Sequence, residues 1–219
     1  TGSTPAERAR LRVVYAMAGT VFFMPVNLFI MEGFFIIALG LGLYYCKKYP
    51  KLPLRQSPLS LPAVGFALVA FLSLVGSPHF LLGTAFYAFT VLQYLVLYFG
   101  ILLFVRHSWE RRLLFSTLLL SAFVVALYGL YQYAHMLTLH EAEWVDNSAF
   151  PMLRRRMYST LYNPNLLSAF LLIIMSAAAS MMICTRHRWH HVMYLAFFAI
   201  LTLCLILTYS RGAWLSVCA

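Results

Sequence analysis

The 219-residue chain is 63% hydrophobic and only 10% charged, with a mean hydropathy of +0.81. A soluble domain is typically about 45–50% apolar and about 25% charged, and no soluble fold of this size has the interior to hide the surplus, which excludes disordered, collagen-like, coiled-coil and disulfide-scaffold chains. A net charge of +10 would otherwise suggest a soluble nucleic-acid binder; in so apolar a chain it belongs in loops between membrane-spanning helices, where it reports orientation.

The chain opens at Thr1, not Met, with the polar Thr1-Gly2-Ser3-Thr4-Pro5, and stops at Ala219 inside a fresh apolar run. The expectation is a fragment of a longer protein. A spanning helix needs about 20 apolar residues. The first apolar block, Val13 to Cys46, is too long for one helix and contains Pro25, Asn27 and Glu32. It splits near Pro25 into Val13 to Met24, short enough to be re-entrant or thinly spanning, and Asn27 to Tyr45. Further spans follow at Leu61 to Gly76, Leu82 to Val105, Leu113 to Leu137, Pro164 to Cys184 and His191 to Tyr209, and an eighth begins near Gly212. These segments are apolar all round, as lipid-embedded helices are. The expected fold is therefore all-α: a polytopic transmembrane helical bundle of about seven spans plus the start of an eighth. It forms a single domain over 1–219, with an outer loop over about 138–163.

Lys and Arg accumulate on the cytoplasmic side of short loops. With the N-terminus inside, the inner segments are 1–12, 46–60, 106–112 and 185–190, and they hold twelve of the sixteen basic residues. The outer loop at Ser77 to Phe80 holds none. Arg154, Arg155, Arg156 and Arg211 break the rule, all on the predicted outer face. One explanation is an anionic ligand at the outer membrane surface. The other is compensation by Glu141, Glu143 and Asp146 in the same loop, together with interfacial anchoring.

The longest polar stretch, Thr138 to Asn163, joins the fifth span to the sixth. It holds Trp144-Val145-Asp146 and Phe150-Pro151, then runs from Arg154 through Arg156-Met157-Tyr158-Ser159-Thr160 to Asn163-Pro164-Asn165. Asn163 suits a helix N-cap and Pro164 the first helical position. The helix start then turns unpaired N–H groups and its positive dipole end outward, and Arg156 is close enough in sequence to bend back toward it. An arginine beside a helix N-terminus suits a phosphate. The same residues also suit a capped membrane helix with aromatic and Arg anchors at the interface, and on residue types alone that is the favoured reading. At the outer end of the seventh span lies Thr208-Tyr209-Ser210-Arg211-Gly212-Ala213-Trp214. Here Gly212 permits a tight turn or a close backbone approach, and Arg211 either meets a ligand or snorkels to the interface.

Arg156-x-x-Ser159-Thr160-x-x-Asn163-Pro164-Asn165 before an apolar helix, and Thr208-x-Ser210-Arg211-Gly212-Ala213 at the end of the next, resemble the O-antigen ligase and O-antigen polymerase superfamily. Trp144-Val145-Asp146 is also similar to members of its broad bacterial branch. The specific motifs lie between Trp144 and Leu215; over the rest of the chain the likeness is one of hydropathy. The resemblance implies a multi-pass protein of the bacterial inner (cytoplasmic) membrane, with its N-terminus cytoplasmic and a fold similar to the C-type glycosyltransferases. Such proteins transfer or polymerise glycan carried on undecaprenyl diphosphate at the outer face, in lipopolysaccharide or other surface-polysaccharide biosynthesis. The implied reaction is inverting and metal-independent, with no cofactor. The implied partners are the undecaprenyl-diphosphate-linked glycan donor, a lipid or glycan acceptor and membrane lipids, with no nucleic acid.

By the same resemblance Arg211 and Arg156 contact the diphosphate, while Asn163, Pro164, Asn165, Ser210 and Gly212 shape the site. Arg154 and Arg155 have no motif counterpart, and Arg155 stays a secondary candidate. A departing diphosphate gathers negative charge in the transition state, which fixed cations and N–H dipoles stabilise in a low-dielectric site. The base that activates the acceptor belongs to a large outer loop expected beyond Ala219, so residues 1–219 alone are expected to be inactive.

Glu32 is the only acid within a predicted span, and intramembrane ionisable groups are functional by default; it is a candidate to pair with an arginine or position a substrate. His187, His190 and His191 sit among Arg186, Arg188 and Trp189 and read as a basic interfacial loop rather than a metal site. His135 and His140, with Glu141 and Glu143, have the chemistry to bind a metal or serve as a base, but carry no motif and otherwise read as a solvated loop. Cys46, Cys184, Cys204 and Cys218 lack paired spacing and read as small apolar residues. Gln93 is expected to make a helix–helix hydrogen bond. No nucleotide-binding fingerprint is present. The rival function is a transporter of a small anion such as bicarbonate. Transporters favour repeats and helices broken at mid-membrane, whereas this chain shows no internal repeat and its odd arginines are at an outer rim. A scaffold subunit with degenerate motifs is the third reading.

Overall fold

The computed structural model describes residues 4–49, 52–135, 156–185 and 187–218. Among them the only regular structure is helical: α1 (Pro5–Phe23), α2 (Leu28–Lys48), α3 (Ser60–Leu72), α4 (Phe80–Tyr87), α5 (Gln93–Phe104), α6 (Ser108–Ala134), α7 (Pro164–Cys184), α8 (Arg188–Leu207) and α9 (Arg211–Cys218). A π-helical turn, Ala88–Leu92, joins α4 to α5, and a 3₁₀ turn, Ser159–Leu161, precedes α7.

Among the described residues, five helical stretches are long and apolar enough to cross a membrane: Leu28–Lys48, Phe80–Phe104, Ser108–Ala134, Pro164–Cys184 and Arg188–Leu207. They are the helices expected of a multi-pass membrane protein. Two predicted spans fall short of that measure. The first two turns of α1 carry Glu7, Arg8, Arg10 and Arg12, leaving only its second half apolar. α3 has 13 residues rather than the predicted Leu61 to Gly76; at a 1.5 Å rise per residue it reaches about 20 Å, against a hydrocarbon core of about 30 Å. The chain leaves the helix where the Ser73 hydroxyl donates to the Ala70 carbonyl at 2.7 Å and Ser77 N bonds back to Leu74 O.

The predicted break at Pro25 is a turn. Val26 N and Asn27 N both bond to Phe23 O, at 3.0 and 2.9 Å, and Pro25 has no N–H to continue the α1 ladder. In the Phe80–Phe104 stretch the π turn directly precedes Gln93, whose buried amide donates to Met31 Sδ of α2 at 3.3 Å. This is the interhelical bond expected of Gln93.

The chain packs as two compact units. The first comprises the described residues of Thr1–Val21 and Phe29–Phe115. Its buried side chains include Val13, Val14, Met17, Met31, Ala38, Leu97 and Phe104. α1 meets α2 closely at Gly19, where a Cβ would stand 2.4 Å from the Phe34 ring. At the polar end of this unit lies a buried ion pair that charge counting does not reveal. Arg10 is 5% exposed and Glu110 fully buried. Arg10 Nη1 donates to Glu110 Oε2 at 3.0 Å and Nη2 to Oε1 at 2.6 Å; the guanidinium also donates to Phe104 O at 2.6 Å and Glu7 Oε1 at 3.2 Å. Glu110 further accepts from Arg106 N at 2.7 Å and His107 N at 3.0 Å, closing the N-terminus of α6 in the manner of a capping-box carboxylate.

The second unit comprises the described residues of Phe22–Leu28 and Ser116–Ala219. α7 packs along α8 and against α9. Its core gathers Val125 and Ala126 of α6, Leu167, Leu171 and Ile174 of α7, and Leu201 and Leu205 of α8 around Met157. Cys46, Cys184 and Cys204 are free thiols. Most of the predicted outer loop, including Trp144, Asp146, His140, Glu141, Glu143, Arg154 and Arg155, lies outside the described residues, as does Arg186.

Candidate functional site

The site is built on the start of α7. Asn163 is extended (φ −141°, ψ 122°), and its side-chain oxygen accepts from Asn165 N at 2.8 Å and Leu166 N at 3.4 Å. Pro164 occupies the first helical position, where its missing N–H costs nothing. Replacing Asn163 with alanine removes this cap and is expected to cost about 1 kcal/mol, read as a lower thermal midpoint in detergent; an unchanged midpoint would show that the cap carries no stability.

Arg156 bends back to this helix end. Its Nη2 donates to Asn165 Oδ1 at 3.0 Å, and its Nε donates to Thr208 O at 2.7 Å. Thr208 closes the C-terminus of α8, where carbonyls lack helical partners and cations are favoured. One residue on, Met157 N donates to Leu207 O at 2.9 Å. The two motifs, about fifty residues apart in the chain, are thus stitched together at consecutive positions. Burial lowers the Arg156 guanidinium pKa from its ordinary value, yet a guanidinium remains a cation in proteins.

Three non-glycine residues with positive φ frame this cluster: Ser159 (53°), Tyr162 (55°) and Tyr209 (52°). Each costs of order 1–3 kcal/mol and persists only where its surroundings enforce it. Ser159 is fully buried and enforced by α6: its N–H donates to Gln132 Oε1 at 2.9 Å and its hydroxyl to Val125 O at 2.7 Å. Gln132 also accepts from Tyr158 N at 3.3 Å. Gly129 of α6 leaves room for Met157, whose Cε lies 2.0 Å from where a Cβ on Gly129 would stand. Thr160 donates to the carbonyl of Pro25, 135 residues away, at 2.5 Å. Gln132 and Gly129 escaped the sequence reading. The available signal for Gln132 was the one that drew attention to Gln93, a lone amide within an apolar helix.

The tight turn before α9 is not made by Gly212, as the sequence suggested. No glycine among the described residues has a positive φ, and Gly212 sits in the first turn of α9 with open space around its Cβ position. Tyr209 makes the turn instead. Ser210 N donates to Thr208 Oγ1 at 3.3 Å, and Thr208 Oγ1 donates to Leu205 O at 2.7 Å. Arg211 is the exposed first residue of α9, three positions after the carbonyl that Arg156 grips.

Arg156, Asn163, Pro164, Asn165 and Thr208 are therefore brought together, with Ser210, Arg211 and Gly212 following directly. Glu32 belongs to the first unit. It is half-buried in α2, within electrostatic reach of Tyr94, and makes no ion pair among the described residues. The His187 and His190 rings lie 5.2 Å apart, tilted at 55° to one another, and His191 Nδ1 lies 3.0 Å from Met182 O. Asn163 already takes the Asn165 and Leu166 N–H groups and Leu167 N bonds to Asn163 O, so what the α7 start offers an oxyanion is its positive dipole end and the charge of Arg156 beside it. The chain matches no protein-family model, no curated protein and no solved structure among those compared.

Proposed function

We propose that the chain is a membrane glycosyltransferase-type protein of the O-antigen ligase and polymerase kind. It transfers or polymerises undecaprenyl-diphosphate-linked glycan at the outer face of the bacterial inner membrane. In this reading α1, α2, α3, the Phe80–Phe104 stretch, α6, α7 and α8 make seven crossings, α9 begins an eighth, and the N-terminus is cytoplasmic. The alternation of basic loops supports that topology.

The observation that carries the functional reading is the Arg156 bridge, which joins the two resembling motifs through Asn165 Oδ1 and Thr208 O. As the acceptor oxygen bonds to the sugar and the sugar–phosphate bond breaks, charge builds on the diphosphate. Arg211, Arg156 and the α7 N-terminus are the groups suited to receive it. Asn163, Pro164, Ser210 and Gly212 set their positions.

The test is Arg211→Ala in the protein as the cell makes it, not in residues 1–219 alone, in cells that depend on it for glycan transfer. Transfer is expected to fall by about 100-fold or more, with membrane protein levels unchanged. Wild-type transfer by the variant overturns the assignment. Uptake of labelled bicarbonate into vesicles, lost in the same variant, would instead support an anion transporter.

A further inference from the structure

We propose that the first unit holds an anionic phospholipid, with one acyl chain seated in a groove between α2 and α5 and its head group at the cluster of basic residues at the groove's end. The proposal rests on the membrane-spanning reading of these helices and is independent of the transferase reading.

The groove is a cavity of about 330 Å³ with no polar or charged side chain in its lining. Its walls include Leu39 and Leu43 of α2 and Val96 and Leu103 of α5. On α2 the lining residues recur from Phe35 to Cys46 at three- and four-residue steps, one continuous helix face. Eleven residues at 1.5 Å each give a length of about 16 Å. Half of a hydrocarbon core about 30 Å thick is about 15 Å, so the groove runs the depth of one leaflet.

One end of the groove is basic. Cys46 lines it and is followed directly by Lys47 and Lys48. Leu54 lines it too, on an irregular segment at 52–57 tied to the end of α5. Arg55 N donates to Leu102 O at 3.4 Å and Arg55 Nη1 to Val105 O at 3.5 Å, while Arg106 Nη2 donates to Pro53 O. Lys48 is occupied by the Tyr44 hydroxyl at 3.1 Å. Lys47 and Arg55 are exposed, and Arg106 Nε is buried with no hydrogen-bond partner among the described residues. An apolar slot one leaflet deep with cations only at its polar end matches the chemistry of an anionic glycerophospholipid. A zwitterionic lipid would fill the slot but leave those cations uncompensated.

Native mass spectrometry tests this on the full chain in neutral detergent, equilibrated with dioleoyl phosphatidylglycerol or dioleoyl phosphatidylcholine. One phosphatidylglycerol is expected to be retained, preferred by roughly fivefold for each basic residue it meets. Leu39→Trp fills the slot and should abolish retention of either lipid. Lys47→Gln with Arg55→Gln, both on exposed side chains, should leave retention but reduce it to the phosphatidylcholine level. Equal retention of both lipids by the wild type overturns the proposal, as does a preference that survives the double charge variant. Should Leu39→Trp fail to fold, judged by its melting midpoint, the charge variant still decides. Alkaline carbonate extraction tests the membrane reading separately: release of the wild-type chain removes that premise and the proposal with it. Loss of selectivity in a chain that stays with the membrane overturns the lipid site alone.

Discussion

Glu110→Ala is expected to destabilise the first unit by about 3–5 kcal/mol, the cost of breaking a buried ion pair from one side. The carboxylate receives two bonds from Arg10 and two from the backbone N–H groups of Arg106 and His107. Its loss leaves the guanidinium of a 5%-exposed arginine without its main counter-charge and uncaps α6. Denaturant titration in detergent should show a clear drop in midpoint. The informative control is Arg10→Met with Glu110→Leu. Replacing both partners with apolar residues is often neutral or stabilising, so the double variant should recover much of the loss. A single variant as stable as the wild type would mean that the pair contributes nothing.

The second large effect is expected at Arg156. Arg156→Ala should lower glycan transfer by about 10²–10³-fold, the range for removing one preorganised donor at developing negative charge. Arg156→Lys should rescue little of it. A planar guanidinium can reach Asn165 Oδ1 and Thr208 O at once, whereas an ammonium is a point donor on a flexible stem. Asn165→Ala, which removes one acceptor and leaves the cation, should fall between wild type and Arg156→Lys. Transfer is measured in cells lacking other glycan ligases and polymerases, with protein amount checked by blotting. Wild-type activity in Arg156→Lys would show that charge alone matters and that the bridging geometry does not.

What the sequence made legible was whatever depends on near neighbours. Proline at position 25 has no N–H, and the chain turns there. Asn163-Pro164 carries the chemistry of a helix start, and α7 runs over the predicted Pro164–Cys184. The Leu82 to Val105 span was visible as one apolar run, but the π turn inside it was not, because hydropathy does not register one extra residue in a turn. Arg10 counted among the orientation charges because its sign is readable and its partner, 100 residues on, is not. Position 212 drew attention because glycine is the usual residue for a tight turn. The turn fell to Tyr209, whose strain is tolerated within a loop pinned on both sides. In the candidate site, residue types and spacing nominated Arg156 and Arg211, but only the fold joins the first of them to Thr208.

The Thr160–Pro25 hydrogen bond bears on how the protein is made. The second unit takes its turn at residues 22–28 from the beginning of the chain and the rest from residue 116 onward. During synthesis the Pro25 carbonyl is in place 135 residues before Thr160 exists. At about 5–20 residues per second, the early turn waits about 7–27 seconds for its partner while the Phe29–Phe115 part of the first unit emerges between them. Assembly therefore cannot proceed strictly from N- to C-terminus. Helices delivered to the membrane first must leave that turn accessible until Thr160 arrives, with α7, α8 and α9 still to follow.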